Sequence, residues 1–400
     1  MLTLLSRLKT EQPARSNWSL AFCAGLLGIG QNGLLVSLPV LVTVTHLSLA
    51  SWAALLTLGS MLFLPSSPWW GKQIEKRGAK PVVMAALLGY ILSFVVLGAG
   101  IALLAALPHA RASGLALLIV ARIIYGVTVS GMVPACQVWS LQRAGLEGRM
   151  AALATISTGL SLGRLLGPLA AAGLLALNPF APIWLMALAP LGALLVILPQ
   201  HAAPASAEQS TVTARFSLRL LPFLGCALLL AASVSLMQLG LAPRLHAISQ
   251  LSTTAISHHV ALLLSVAAAS TLLAQLLVVR PQRLSPLRLL LVAALVMSGG
   301  MIVMCQPSLL LFYAGCAIAS FGTAMATPAY QLLLTDRLSS GKGAGLIAAG
   351  HTLGYGISAL LVPLVAHYAG EDSLIASALM LSLGFLLTTL FIQLRGRATP

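Results

Sequence analysis

Two arginines, Arg122 and Arg164, stand deep inside long apolar runs of this chain. Arg122 lies nine residues into a helix expected over Ser113–Ser140, about 13 Å at ~1.5 Å per residue, too deep for its head to reach a surface by snorkelling. Its guanidinium must therefore face protein or water. A buried guanidinium usually pairs with a carboxylate, yet all seven acids (Glu11, Glu75, Glu147, Glu208, Asp336, Glu371, Asp372) fall outside the apolar runs. Two readings stay open. Arg122 either bonds backbone carbonyls and polar groups such as Asn32, or lines a pathway, because charges within membrane spans are functional by default. Arg164 sits about midway through a helix expected over Met150–Leu177. Two positive charges in a low-dielectric cavity attract an anion and repel a cation.

His351 and Tyr355 are one helical turn apart and share a face, where a histidine could relay protons, bind a carboxylate, or be a satisfied core residue. His246, His258 and His259 fall near a loop without the companion spacing of a metal site and are expected to be solvated. The five cysteines, Cys23, Cys136, Cys226, Cys305 and Cys316, lie in apolar runs without ligand or pairing spacing, so neither disulfides nor metal are expected, and no cofactor motif is present. Gly159-Leu-Ser161-Leu-Gly163 matches the Gly-x-Ser-x-Gly pattern of serine hydrolases, with His351 as an imaginable base. That pattern works only on a strained turn after a strand. Here it falls mid-helix, where Ser161 can bond its own backbone, so an enzyme is not expected.

The elements that must hold these residues are membrane helices. Hydrophobic residues make up 59% of the 400 and charged ones 7%, against about 25% charged in a soluble domain. Twelve spans are expected, at roughly 18–44, 49–69, 81–107, 113–140, 150–177, 181–199, 216–240, 254–279, 287–305, 308–334, 344–369 and 373–394. The first sixteen residues are polar and basic, and the run after Trp18 is too long for a signal-peptide core, so it reads as a retained span. With both termini cytoplasmic, eighteen of the twenty-two Lys and Arg lie on the inner side and only Arg111 and Arg244 outside. That asymmetry fixes the orientation by the positive-inside rule and explains the net charge of +15 without nucleic acid; the expected location is the cell inner (plasma) membrane. Trp69 and Trp70 read as an interfacial belt.

The chain also repeats. Met132–Arg143 aligns with Ala326–Arg337, matching Pro134 to Pro328, Ala135 to Ala329, Gln137 to Gln331 and Arg143 to Arg337. One inserted residue later, Gly159 falls against Gly354 and Pro168 against Pro363. The expected organisation is a six-helix half over 1–199, a polar cytoplasmic linker over 200–215 and a second half over 216–400. Polar residues sort unevenly: Gln31 and Asn32 on span one, Arg122, Tyr125, Thr128, Ser130 and Gln137 on span four, Ser233, Ser235 and Gln238 on span seven, and Thr323, Thr327, Tyr330 and Gln331 on span ten. Spans three, six, nine and twelve are almost bare. In lipid, polar side chains must face protein or water, so this sorting implies a central pathway.

After span two comes Gly71-Lys72-Gln73-Ile74-Glu75-Lys76-Arg77-Gly78-Ala79-Lys80, whose end glycines permit a tight turn. This stretch resembles the loop signature of the major facilitator superfamily, with Glu75 where Asp is usual, Lys76 where Arg is usual and Ala79 in place of a basic residue. Leu118-x-x-x-Arg122-x-x-x-Gly126 resembles the family's helix-four motif, whose arginine is associated with proton transfer. Gly159, Gly163, Gly167 and Pro168 form one smooth packing face and resemble the helix-five signature of the antiporter and exporter branch, with Ala171 and Ala172 where glycines are usual. The resemblance implies an all-α integral membrane protein of the major facilitator fold, with twelve transmembrane helices as two six-helix repeats around a central cavity. It further implies a gating loop containing Gly71, Glu75, Arg77 and Gly78, no cofactor, and a monomer.

The expected function is export of a small organic anion by alternating access, carboxylate siderophores being one such class that related exporters handle. Substrate contacts are expected from Arg122, Arg164, Gln31, Asn32, Gln137, Gln238, Tyr330, Gln331, His351 and Tyr355, with protons as a further partner beside the lipid bilayer. The alternatives are a multidrug/H+ antiporter, an organic-anion importer and, from a different class, the intramembrane serine hydrolase.

Overall fold

The computed structural model of the protein describes residues 12–107, 110–144, 149–201, 220–279, 281, 284–335 and 340–397. Among these, every regular element is helical: α1 (Gln12–Thr45), α2 (Leu49–Met61), α3 (Phe63–Arg77), α4 (Ala79–Ala106), α5 (Arg111–Val129), α6 (Met132–Ala144), α7 (Arg149–Leu175), α8 (Ala181–Ile197), α9 (Leu221–Ile248), α10 (Thr253–Ala274), α11 (Pro286–Met304), α12 (Leu309–Thr335), α13 (Ser340–Ala369) and α14 (Leu374–Arg397). Apolar runs of this length have one way to satisfy their backbone in hydrocarbon, the internal hydrogen bonds of a helix. Eleven helical stretches are long and apolar enough to span a bilayer, and Ala181–Ile197 is a shorter apolar helix.

The chain divides into two compact units, Met1–His46 with Leu62–Ser210, and Leu47–Met61 with Thr211–Pro400. Residues 202–215 of the expected linker lie outside the described residues.

In the first unit, α1 and α7 meet along glycines. A Cβ on Gly159 would stand 2.1 Å from the Ala21 carbonyl oxygen, on Gly163 2.0 Å from that of Gly25, and on Gly167 2.7 Å from the Ile29 Cα. Backbone touches backbone there, which only glycine permits. Helices α4 and α5 close similarly through Gly100 and Gly114. The second unit repeats the arrangement. A Cβ on Gly354, the repeat partner of Gly159, would stand 2.3 Å from the Leu228 carbonyl oxygen, so α13 packs closely on α9, and Gly300, Gly315 and Gly322 join α11 to α12. The second unit also holds α2, where the Thr57 hydroxyl donates to the Tyr355 carbonyl of α13 at 3.4 Å.

Large apolar side chains form exposed stripes on the polar-poor spans: Leu88, Leu92 and Val95 on α4, Trp184, Leu188, Leu191 and Leu195 on α8, Leu295 and Ile302 on α11, and Leu387 and Leu394 on α14. In water such stripes would be a liability; in hydrocarbon they are the solvent-facing surface.

Several boundaries differ from the sequence reading. Helix α3 runs through the loop signature to Arg77, so Gly71, Glu75 and Arg77 are helical and only Gly78, at φ 84°, makes the turn. Span two is interrupted instead at Leu62. Span four is broken between α5 and α6. Pro134 has no N–H for the Ser130 carbonyl, and the Gly131 N–H turns back to Thr128 at 3.5 Å, which frees Val127 as well. Helix α9 extends to Ile248, so Arg244 and His246 belong to it, and Arg244 donates to the Cys305 carbonyl.

Candidate functional site

Each unit gathers its own share of the expected residues. In the first, Arg122 is 6% exposed. Its guanidinium lies over the Tyr125 ring at 4.5 Å, a cation–π contact that a dry site strengthens. Tyr125 stacks on Phe63 of α3 at 6.0 Å and adjoins Tyr90 and Phe94 of α4. The Tyr90 hydroxyl donates to the Leu26 carbonyl of α1 at 2.8 Å. This aromatic cluster was not singled out by sequence reasoning, because Tyr90, Phe94 and Phe63 come from different spans and no local spacing links them.

Arg164 is exposed. Leu162 and Leu166, both exposed on the same helix, are each two residues away, roughly 200° around at about 100° per residue. The arginine thus stands on the face opposite that leucine stripe. Asn32, buried on α1, donates its amide to the Arg164 backbone carbonyl at 2.9 Å, so that amide ties α1 to α7. Gln31 is exposed and Gln137 half-buried.

In the second unit, α12 and α13 bring Tyr330 and His351 together. The Tyr330 hydroxyl is 2.5 Å from His351 Nε2 and 3.2 Å from the Thr327 hydroxyl, and Tyr330 is fully buried. Tyr355 and Gln238 are half-buried, and the Gln331 side chain lies outside the described residues. The Ser358 hydroxyl donates to Ser235 at 2.6 Å, joining α13 to α9. Ser161 lies in the interior of α7, away from any strand-to-helix turn. His259 departs from the sequence reading. It is half-buried and its Nδ1 meets the Tyr313 hydroxyl at 2.8 Å, so it joins α10 to α12 instead of standing in solvent.

Residues 20–359 match the family model of the Major Facilitator Superfamily. The chain belongs to the major facilitator superfamily. Solved structures that share the fold include three transporters. They are the nucleoside transporter NupG (TM-score 0.74, 13% identity, 95% of this chain and 99% of that one), a D-xylose-proton symporter (0.69, 15%, 96% and 97%) and the human organic anion transporter MFSD10 (0.66, 19%, 94% and 99%). No curated protein matches by sequence. The protein is therefore a membrane transporter of this family, built to carry a small molecule across a bilayer by alternating access.

In this transporter the Gly71–Arg77 part of the loop signature forms the last two turns of α3, and the residues just before it brace span four. The Trp70 indole N–H donates to the Val127 carbonyl at 2.6 Å, and the Ser67 hydroxyl donates to the Ser130 carbonyl at 3.3 Å. The break between α5 and α6 deprives both carbonyls of their usual backbone donors, and α3 supplies donors to them, beside the Ser130 hydroxyl that also reaches the Val127 carbonyl at 3.2 Å. Trp70 is 8% exposed and is no belt residue, whereas its neighbour Trp69, at 51%, faces outward as a belt residue does. A proline four residues beyond Ser130 was the available signal for the break. Lys80, the end of the signature, donates to the Leu198 and Gln200 carbonyls, both at 2.7 Å, and Arg143 donates to the Gln200 side chain at 2.9 Å. Basic groups thereby cap the end of α8, where helix carbonyls point outward.

Proposed function

We propose that this transporter exports a small organic anion across the cell inner membrane, with both termini cytoplasmic. The observation that carries the reading is Arg164, an arginine at mid-span, exposed on the face of α7 opposite its leucines. Arg122, stacked on Tyr125, adds positive potential from behind the surface. The mid-span stretches contain these two arginines and no carboxylate; Glu75 ends α3, and Glu371 and Asp372 precede α14. Gln31, Gln137, Gln238, His351 and Tyr355, exposed or half-buried, supply polar lining, while Asn32 and Tyr330 are buried behind it. A membrane potential negative inside favours an outgoing anion by about 2.3 kcal/mol per charge per 100 mV. Carboxylate siderophores belong to this chemical class. A fold shared with an organic anion transporter is compatible with such cargo; shared equally with nucleoside and xylose carriers, it does not select it.

The glycine seam of α7 favours a second reading, multidrug/H+ antiport, since it resembles the exporter signature. A thermal-shift screen of the purified protein against citrate, salicylate and tetraphenylphosphonium separates the two. A ligand at about a hundred times its Kd stabilises the state it binds by about 2.7 kcal/mol, a rise of several degrees in Tm. The anions are expected to raise it. A shift with the lipophilic cation alone replaces the anion reading.

Orientation has its own test. Cys23, Cys136, Cys226 and Cys316 are buried, while Cys305, just past α11, is half-buried. Burial raises its thiol above the usual range against the opposing pull of Arg244, so labelling is slow but selective. A membrane-impermeant maleimide added outside intact cells is expected to label the protein once, and Cys305→Ser to remove the label. Labelling only after the membrane is opened would invert the topology.

A further inference from the structure

We propose that His351, Tyr330 and Thr327 form a proton-binding site within the second unit. The argument rests on the hydrogen-bond chain they make. Tyr330 Oη lies between His351 Nε2 and Thr327 Oγ1, at 2.5 and 3.2 Å. A hydroxyl placed between two such partners can point either way. When the imidazole is neutral, Tyr330 donates to Nε2 and accepts from the Thr327 hydroxyl. When a proton from water arrives on Nε2, that nitrogen becomes a donor to Tyr330 Oη, and the tyrosine hydroxyl turns to donate to Thr327 Oγ1. Both states leave every member of the chain bonded, so proton uptake strands no buried polar atom. A histidine present only for packing needs one fixed tautomer and no second acceptor.

The surroundings leave this chain as the local means of answering the charge. His351 and Tyr355 share a face of α13, α12 contributes Tyr330 and Thr327, and α9 contributes Cys226. From α2 come Thr57, bonded to the Tyr355 carbonyl, and Met61, against Gly356. No lysine, arginine or carboxylate belongs to residues 49–61, 221–240, 309–335 or 344–366. Arg244 and His246 are on α9, but Leu228, beside Gly354, lies sixteen residues before Arg244, about 24 Å along the helix. His351 is half-buried, so water can deliver the proton, and it stands twelve residues into a thirty-residue helix, far from either end. Mid-span carboxylates being absent from the sequence, this imidazole, backed by two hydroxyls in line, is the side chain placed there to accept a proton. On the proposed anion-export reading, that proton is the coupling ion.

The test needs no cargo, so its failure and that of the anion reading are distinguishable. The protein, labelled with 15N-histidine and reconstituted in lipid nanodiscs, is titrated from pH 8 to 3 by NMR beside His351→Gln, Tyr330→Phe and Thr327→Val. One imidazole, absent from His351→Gln, is expected to pass from the neutral to the protonated pattern. Thr327→Val removes the acceptor for the reversed tyrosine hydroxyl and is expected to weaken proton binding about tenfold, lowering the midpoint by about one pH unit; Thr327→Ser restores it. A signal that stays neutral throughout, or one that titrates identically in wild type, Thr327→Val and Tyr330→Phe, overturns the site.

Discussion

Arg164→Glu is expected to abolish efflux of an organic anion such as citrate from loaded proteoliposomes, while the protein still folds and inserts. The side chain is exposed on α7 and opposite Leu162 and Leu166, so reversing its charge disturbs no packed neighbour on that stripe. Two unit charges about 4 Å apart interact by about 4 kcal/mol at an effective dielectric of about 20, and exposure lowers this. Reversal converts attraction into repulsion. A loss of about a hundredfold in apparent affinity, about 2.8 kcal/mol at about 1.4 kcal/mol per decade, is the conservative expectation. Arg164→Lys keeps the charge and is expected to retain most of the efflux. Arg122 differs in kind. Because it is buried over Tyr125, Arg122→Glu is also expected to end efflux, but with a lowered Tm from an uncompensated buried charge. Unchanged anion efflux in Arg164→Glu removes the arginine from the pathway and the anion reading with it.

Gly163→Val is expected to leave no folded protein, and Gly163→Ala to destabilise by about 3 kcal/mol or more. Overfilled interiors ordinarily lose about 1–3 kcal/mol because side chains shift aside. Here the obstructing atom is the Gly25 carbonyl oxygen, 2.0 Å from the added carbon, and backbone cannot rotate away. The α1–α7 seam would have to open along its length, pulling the Asn32–Arg164 bond apart with it. Gly173 supplies the control. It lies on the same helix with nothing within 4 Å of an added Cβ, and alanine is the better helix former by about 1 kcal/mol. Gly173→Ala is therefore expected to be neutral or stabilising. Thermal unfolding in detergent, followed by size-exclusion chromatography for aggregation, measures all three. Equal effects at the two glycines would mean that α7 responds to alanine through helix propensity and not through the seam.

Much of the architecture was written locally, and the reason is the solvent. A chain with 7% charged residues must sit in hydrocarbon, and hydrocarbon admits its apolar runs only as helices, so their number and approximate ends are readable from composition along the chain. The repeat of Pro134 in Pro328 and the four-residue spacing of Gly159, Gly163 and Gly167 were readable in the same way. Family membership was legible through resemblance, in the Gly71–Lys80 signature and the motif around Arg122, and the family match over residues 20–359 shows it. Partners did not follow, since which side chain meets which depends on how helices distant in sequence are rotated against one another. Asn32 was a candidate for Arg122 but donates to the Arg164 carbonyl, 132 residues away. Trp70 carries the composition of a belt residue, yet it braces the break in span four, 57 residues on. His351 and Tyr330 are ordinary helix positions until α12 and α13 lay one against the other. Hydrophobic periodicity sets where a helix begins and which face it hides; only close packing in three dimensions decides which polar groups on that face end within hydrogen-bonding reach.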